Sequence, residues 1–362
     1  MKNIVFFVGT LNGFGGTERV STIIANELSH YGYNIKFLSL HDGDNPFFYV
    51  NKAIQKDTLF PVKLSFKKHY HEVIIKLRSY IKKNDIDVLI NVESMLSLYS
   101  VPACIGIDVR NICWEHFNFH VDLGLKIRGY ARKLAAFACD DIITLTETDK
   151  TFWLENTKHR ATITAIPNPS PFKLCEPRIQ VNNKIVLSAG RLMYQKGFDF
   201  LLDAWALVVK QRQDWMLRIV GSGEEHDALK KQAEKLGLNN HIEWVSHVSN
   251  MSEQYQQADI YVMSSRFEGL PMVLLEAISS GLPLVSFDCK TGPKDIIDSS
   301  FGWLAKDGEI TALADKMLTA FATFDSDLEY AKYSQAAITK CRSEYSIESI
   351  INLWVKLLNN EK

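Results

Sequence analysis

Short apolar runs recur along the chain, and the text between them carries apolar residues at helical period. Residues 4–8 (IVFFV) are apolar throughout, which suits a strand buried on both faces of a sheet. Comparable runs lie at 35–40, 86–92, 109–114, 141–146 and 163–166, then at 184–189, 215–220, 242–245, 260–263 and 284–287. Helical segments are expected between them at 17–30, 67–84, 125–139 and after Glu147-Thr148-Asp149-Lys150, then at 197–211, 227–236, 251–257 and 272–280. Residues 42–60 read as a loop with a short strand. Further helices are expected over 309–323 and 326–342, with a last one over about 347–360 after a break at Tyr345-Ser346.

Strand–helix alternation of this kind folds as parallel sheet with helices on both faces. The pattern runs twice, and the Pro-rich, polar text at 167–183 between the runs is the best linker candidate. The expected fold is therefore α/β: two facing, doubly wound, Rossmann-like domains with a cleft between them. The expected division is residues 1–170, residues 171–345, and a C-terminal helix at 346–362 packing back on the first domain. Ligands of such sheets bind at the carboxyl ends of strands, so the residues there are the candidates.

Residues 264–286 hold the densest set. After the strand at 260–263 comes a turn, Glu268-Gly269-Leu270-Pro271, and then an apolar helix stopped by Gly281 and Pro283. The start of that helix, at Met272 and Val273, offers backbone N–H groups and a partial positive charge to an anion. Glu276 stands inside the helix between Leu275 and Ala277. Read alone, it is equally well a surface residue on a polar stripe. Arg191 and Lys196, five apart in the loop after the strand at 184–189, suit a diphosphate, although two loop cations are also commonly just solvated. In the first half the strand ends carry Gly13, Gly15 and Gly16 before a helix, Glu93, and Glu115-His116. The glycine spacing is not G-x-G-x-x-G, and on its own the loop reads equally as a tight turn.

Composition narrows the classes. Net charge is −1, so no nucleic-acid role is forced. The excess of Lys and Arg is in the first half, in one group at Lys63, Lys67, Lys68, Lys76, Arg78, Lys82 and Lys83 and a second at Lys126, Arg128, Arg132 and Lys133. Such faces suit an anionic lipid surface, or simply water. The six cysteines are scattered, with no C-x-x-C, as in a reduced cytosolic protein. No signal peptide or membrane span is read. No His cluster with metal-ligand spacing appears, and His116 and His120 lack the Glu of H-E-x-x-H, so no metal and no cofactor is expected.

The combination Ser188-Ala189-Gly190-Arg191…Lys196-Gly197, Glu268-x7-Glu276, Gly269-Leu270-Pro271 and Gly15-Gly16 resembles the GT-B-fold retaining glycosyltransferases of family GT4, in order over nearly the whole chain. The resemblance implies a nucleotide-diphosphate sugar as donor. It implies that Glu276 accepts from the ribose hydroxyls and that Glu268 lies beside the donor sugar. Arg191 and Lys196 would hold the diphosphate, with Gly190 beside them. Gly269, Leu270, Pro271, Met272 and Val273 would cradle phosphate or sugar hydroxyls, and Gly221 would lie toward the base. Gly15 and Gly16 would allow close approach of the phosphate and acceptor, and His116 would touch the donor sugar. Thr291-Gly292-Pro293-Lys294-Asp295-Ile296-Ile297 with Glu115-His116 is similar to bacterial members of lipopolysaccharide, O-antigen and lipid-linked oligosaccharide assembly. That implies a UDP-hexose or UDP-N-acetylhexosamine donor and a glycan or undecaprenyl-diphosphate-linked acceptor. It also implies a cytoplasmic place, possible contact with the inner membrane face through the basic helices, and front-face transfer without a metal. A nucleotide-sugar epimerase or hydrolase on the same fold is the alternative.

Overall fold

The computed structural model describes all residues except Leu64, Asn182, His247, Ser249, Glu361 and Lys362. The side chain of Lys67, a member of the first basic group, also lies outside the described residues. The chain forms two compact units, Met1–Asn168 with the chain from Ile350 onward, and Pro169–Ser349.

In the first unit the elements are β1 (Asn3–Val8), α1 (Gly16–Leu28), β2 (Asn34–His41), β3 (Gln55–Phe60), α2 (Phe66–Lys83), β4 (Val88–Val92), α3 (Ser97–Cys104), β5 (Arg110–Trp114), α4 (Ile127–Ala138), β6 (Asp141–Thr144), α5 (Glu147–Asn156) and β7 (Thr162–Ala165). The seven strands are parallel in the order β3-β2-β1-β4-β5-β6-β7. The order reverses between β1 and β4, and β1 shows why such a strand is apolar on both sides. Val5 and Phe7 pack with Val73, Leu77 and Ile81 of α2, while the Phe6 ring faces Phe37 and Trp114 on the other side. The short helix α3 was not expected, because Pro102 inside it breaks the helical text.

The second unit contains β8 (Ile185–Ala189), α6 (Phe198–Val209), β9 (Met216–Val220), α7 (His226–Lys235), β10 (Ile242–Val245), α8 (Met251–Gln257), β11 (Ile260–Met263), α9 (Met272–Ser279), β12 (Leu284–Phe287), α10 (Pro293–Ile296), β13 (Gly302–Ala305), α11 (Ile310–Thr323) and α12 (Asp327–Lys340). Its six strands are parallel in the order β10-β9-β8-β11-β12-β13, reversing between β8 and β11. Leu201, Leu202, Trp205 and Val208 of α6 pack with Met317 and Phe321 of α11 over one face of this sheet.

The stretch at 167–183 is not a loose linker. The Ser170 amide donates to Tyr345 O and the Cys175 amide to Ser279 O. The Arg178 guanidinium ends on the carbonyls of Tyr255, Ala258 and Ser280. Those carbonyls lie at the ends of α8 and α9, where backbone acceptors need partners. Polar, Pro-containing text here encodes a strap on the second unit. The last helix, α13 (Ile347–Asn359), belongs mostly to the first unit, where the fully buried Trp354 packs edge-on against Trp114 at 4.8 Å.

Candidate functional site

The reversal of strand order is where a doubly wound sheet leaves a crevice at its carboxyl edge. In the second unit the loops after β8 and β11 flank that point. They are sewn together by side chains 67–72 positions apart: Arg266 forks onto the Asp199 carboxylate at 2.8 and 2.6 Å and donates to Tyr194 O, and Gln195 donates to Phe267 O. Gly197, at φ +62°, makes the turn between them, and a Cβ there would sit 2.2 Å from Ser264 O.

This stitching brings Lys196 Nζ to 2.7 Å from Glu268 Oε1, with Lys196 21% exposed and Glu268 7%. The Lys196 stem runs beside Gly190. Thr291 Oγ1 donates to Glu268 O at 2.6 Å, and Gly292 lies against Pro271 and Gly269, so the 291–293 turn braces the Glu268–Pro271 loop from behind. Pro271 is the cap of α9 and gives no side-chain hydrogen bond to the helix start at Met272 and Val273, while Leu270 is buried.

Glu276 is 6% exposed, and the fully buried Tyr255 hydroxyl donates to its Oε2 at 2.7 Å. Tyr255 carried no signal in the sequence, because its contact depends on α8 and α9 lying side by side. Arg191 is 61% exposed and meets the exposed Glu224 at 3.4 Å, a pair of little weight for stability. Gly221 has a packing reason of its own: a Cβ there would lie 1.9 Å from Gly190 O.

In the first unit the β1–α1 loop carries Gly15, the cap of α1, and Gly16, its first residue. Glu18, in the first turn of α1, curls back so that its carboxylate lies 2.5–2.6 Å from where a Cβ on Gly13 or Gly15 would stand. The acid complements the helix start, and a side chain at either glycine would push it aside.

His116 follows β5, its ring tilted at 50° to the Trp114 ring with centroids 4.4 Å apart. Burial pulls its imidazole down to about 3, so it is neutral at pH 7, and its buried Nε2 has no hydrogen-bond partner among the described residues. Beside it Glu115 is saturated: Oε1 accepts from the amides of His116 and Phe117, and Oε2 accepts from Ser94 Oγ and Arg132 Nε. Arg132 also donates to Phe119 O and Val121 O.

This corrects the second basic group. Arg132 is 1% and Arg128 8% exposed, because α4 turns both toward the strand ends to meet Glu115 and Glu93. Only Lys126 and Lys133 of that group are exposed. In the first group, Arg78 donates to Ala103 O and Ile105 O, and Lys76 lies 4.0 Å over the Phe60 ring. Lys63, Lys68, Lys76, Lys82 and Lys83 are exposed. Among the described residues, no three His, Cys, Asp or Glu are placed to hold a metal ion, and no helix is long and apolar enough to cross a membrane.

Two doubly wound parallel sheets in one chain are the arrangement of the GT-B class of transferases. The comparisons agree. Residues 173–337 match the family described as glycosyl transferases group 1, and residues 14–170 match Glycosyltransferase Family 4. The chain belongs to this family and is a glycosyltransferase.

An uncharacterized glycosyltransferase of Haemophilus influenzae is 34% identical over 99% of this chain and 100% of the relative. The amylovoran biosynthesis glycosyltransferase AmsD of Erwinia amylovora is 30% identical over 99% and 100%. A Campylobacter jejuni enzyme, an α-1,4-N-acetyl-D-galactosaminyltransferase named for a diNAcBac-PP-undecaprenol-linked disaccharide, is 26% identical over 100% and 99%. Among solved structures, Anabaena HepE in complex with UDP superposes with a TM-score of 0.80 at 18% identity, covering 99% of each chain.

Proposed function

We propose that the protein is a retaining glycosyltransferase of bacterial surface polysaccharide assembly. It moves a hexose or N-acetylhexosamine from a UDP-sugar to a glycan or undecaprenyl-diphosphate-linked acceptor. The observation that carries this is the Lys196–Glu268 contact at 2.7 Å, made by two loops at the switch point of the second unit beside the α9 start and Glu276. AmsD's name places it in polysaccharide biosynthesis, the Campylobacter enzyme's name specifies a lipid-diphosphate acceptor, and HepE holds UDP. Those names support the donor and acceptor classes.

In this reading Glu276, oriented by Tyr255, accepts from the ribose hydroxyls. Lys196 and Arg191 meet the diphosphate and stabilise the negative charge that grows as it leaves, which makes the enzyme's contribution electrostatic and independent of a metal. The backbone of Gly269–Val273 holds phosphate or sugar hydroxyls, and Glu268 both sets Lys196 and lies beside the sugar. The acceptor hydroxyl attacks the anomeric carbon on the face from which the diphosphate departs. A departing phosphate oxygen takes its proton, and positioning supplies the rest.

In the first unit, Gly15 and Gly16 permit close approach of the phosphate and acceptor, and neutral His116 contacts the donor sugar. The exposed lysines of α2, Lys68, Lys76, Lys82 and Lys83, are the groups proposed to meet anionic lipid at the cytoplasmic membrane face. Their removal is expected to lower binding to vesicles containing phosphatidylglycerol, whereas substitutions at the buried Arg132 would act through folding.

The test is UDP release from a panel of UDP-hexoses and UDP-N-acetylhexosamines with lipid-linked and free oligosaccharide acceptors. Lys196→Ala and Glu276→Ala should each lower turnover by at least about 10²-fold with the melting profile retained. Full activity in both sinks the site assignment. Free sugar or an epimer formed at the same rate without acceptor replaces the transferase reading with the hydrolase or epimerase.

A further inference from the structure

The switch point of the first unit lies between β1 and β4. Its two flanking strands end in the glycine loop and in Glu93. Glu93 is the charged side chain directly at that point, and its backbone is unusual: φ +100° and ψ 138°, a conformation that residues with a Cβ rarely adopt. Its amide is fixed by Trp114 O on the neighbouring strand.

The surrounding charges separate into two kinds. Glu115 and Arg132 are fully buried and saturated, and they build the loop after β5. Arg128, one turn earlier on α4, is buried in a different way. Its Nη1 lies 2.9 Å from Glu93 Oε1, and its guanidinium stacks 4.6 Å over the Phe117 ring. Its buried Nε has no hydrogen-bond partner among the described residues. Glu93 is the open end of this pair, with 23% of its side chain exposed against 10% for Arg128. A carboxylate on a strained backbone, partly open and ion-paired to a buried guanidinium at the crevice of a doubly wound sheet, is placed to meet a ligand.

We propose that Glu93, backed by Arg128, recognises the acceptor: its carboxylate takes a hydrogen bond from a sugar hydroxyl of the acceptor glycan, and Arg128 is the positioning residue that aims it. This rests on the transferase reading above. The groups facing Glu93 are Arg128 and Arg132 from α4 and Glu115 after β5. Burial and Glu115 together outweigh the two arginines and push Glu93 up to about 7. Its folded value is raised, so the stability that protonation brings is present below the ordinary carboxylate range and is lost as pH rises through about 7. The ionised form thus disfavours folding, and carboxylates perturbed in this way cluster at functional sites. Acceptor recognition needs the ionised carboxylate, so it strengthens over the same interval.

The test uses the full chain, saturating donor and the panel acceptor that gives wild type its highest rate. Glu93→Gln is expected to raise the acceptor KM at least tenfold and to leave the donor KM and UDP affinity within twofold of wild type. Arg128→Lys is expected to raise the acceptor KM less, again without moving the donor KM. In wild type, kcat/KM for acceptor should fall as pH drops below about 7, and Glu93→Gln should lack that limb. Glu93→Asp, which keeps the charge and shortens the reach, is the second variant should Glu93→Gln fail to fold, with an intermediate acceptor KM expected. An unchanged acceptor KM in the folded variants, or parallel changes in donor and acceptor KM, overturns this assignment and leaves the transferase reading standing. If wild type releases no UDP with any acceptor, the transferase reading falls and this assignment with it.

Discussion

At the scale of single residues, Glu276 and Tyr255 belong together. A carboxylate 6% exposed on an apolar helix is costly without a donor, and the Tyr255 hydroxyl supplies one at 2.7 Å. That bond also fixes which way the carboxylate faces. Tyr255→Phe is expected to weaken UDP binding roughly tenfold, the scale of one hydrogen bond to a charged group, with little change in kcat at saturating donor; titration calorimetry with UDP reads it. Equal UDP affinity in the variant would leave Tyr255 a packing residue.

Glu276, Lys196 and Glu268 stand out in the sequence because they sit in motifs of fixed spacing, and the fold pairs Lys196 with Glu268. Tyr255 does not, since α8 and α9 meet only in the folded unit. Nor does the fate of Arg128 and Arg132. A run of basic residues on a helix looks the same whether it faces water or the strand ends, and only packing decides.

At the scale of elements, the strand-end loops of the second unit are built on close backbone approaches. Lys196 reaches Glu268 because Gly197 turns against Ser264 O. The end of β8 is also held by the Tyr261 hydroxyl, which donates to Ala189 O and accepts from the Ala189 amide. Gly221 presses on Gly190 O from the next strand. Gly221→Ala has no room for its methyl, so destabilisation of about 1–3 kcal/mol is expected in a denaturant melt followed at Trp215, which stacks on Phe321 in that unit. A melt like wild type's would show that the loop yields freely.

Most strands and helices were readable from periodicity, as the buried runs of β1 and β11 show. The exceptions have local causes: Pro102 inside α3, and the strap at 169–183, whose polar text signals a linker while its amides and Arg178 serve helix ends.

At the scale of the whole molecule, the chain makes one unit, then a second, and returns to the first through α13. Trp354 of α13 completes the aromatic cluster of Phe6 and Trp114, so the first unit is assembled from both ends of the chain. The paired doubly wound pattern was visible in the sequence as two runs of alternating strands and helices. The return of the last helix to a particular core is a long-range packing fact that no local pattern carries. Each sheet reverses its strand order once and places its charged groups there: Glu93 and its neighbours in one unit, Lys196 and Glu268 in the other.

The central claim is sugar transfer with retained anomeric configuration. Proton NMR of the product formed from a UDP-α-sugar and a lipid-linked acceptor tests it most directly. The account predicts an α-linked glycan that forms only with acceptor present and is lost in Lys196→Ala. A β-linked product, or free sugar released regardless of acceptor, would contradict it.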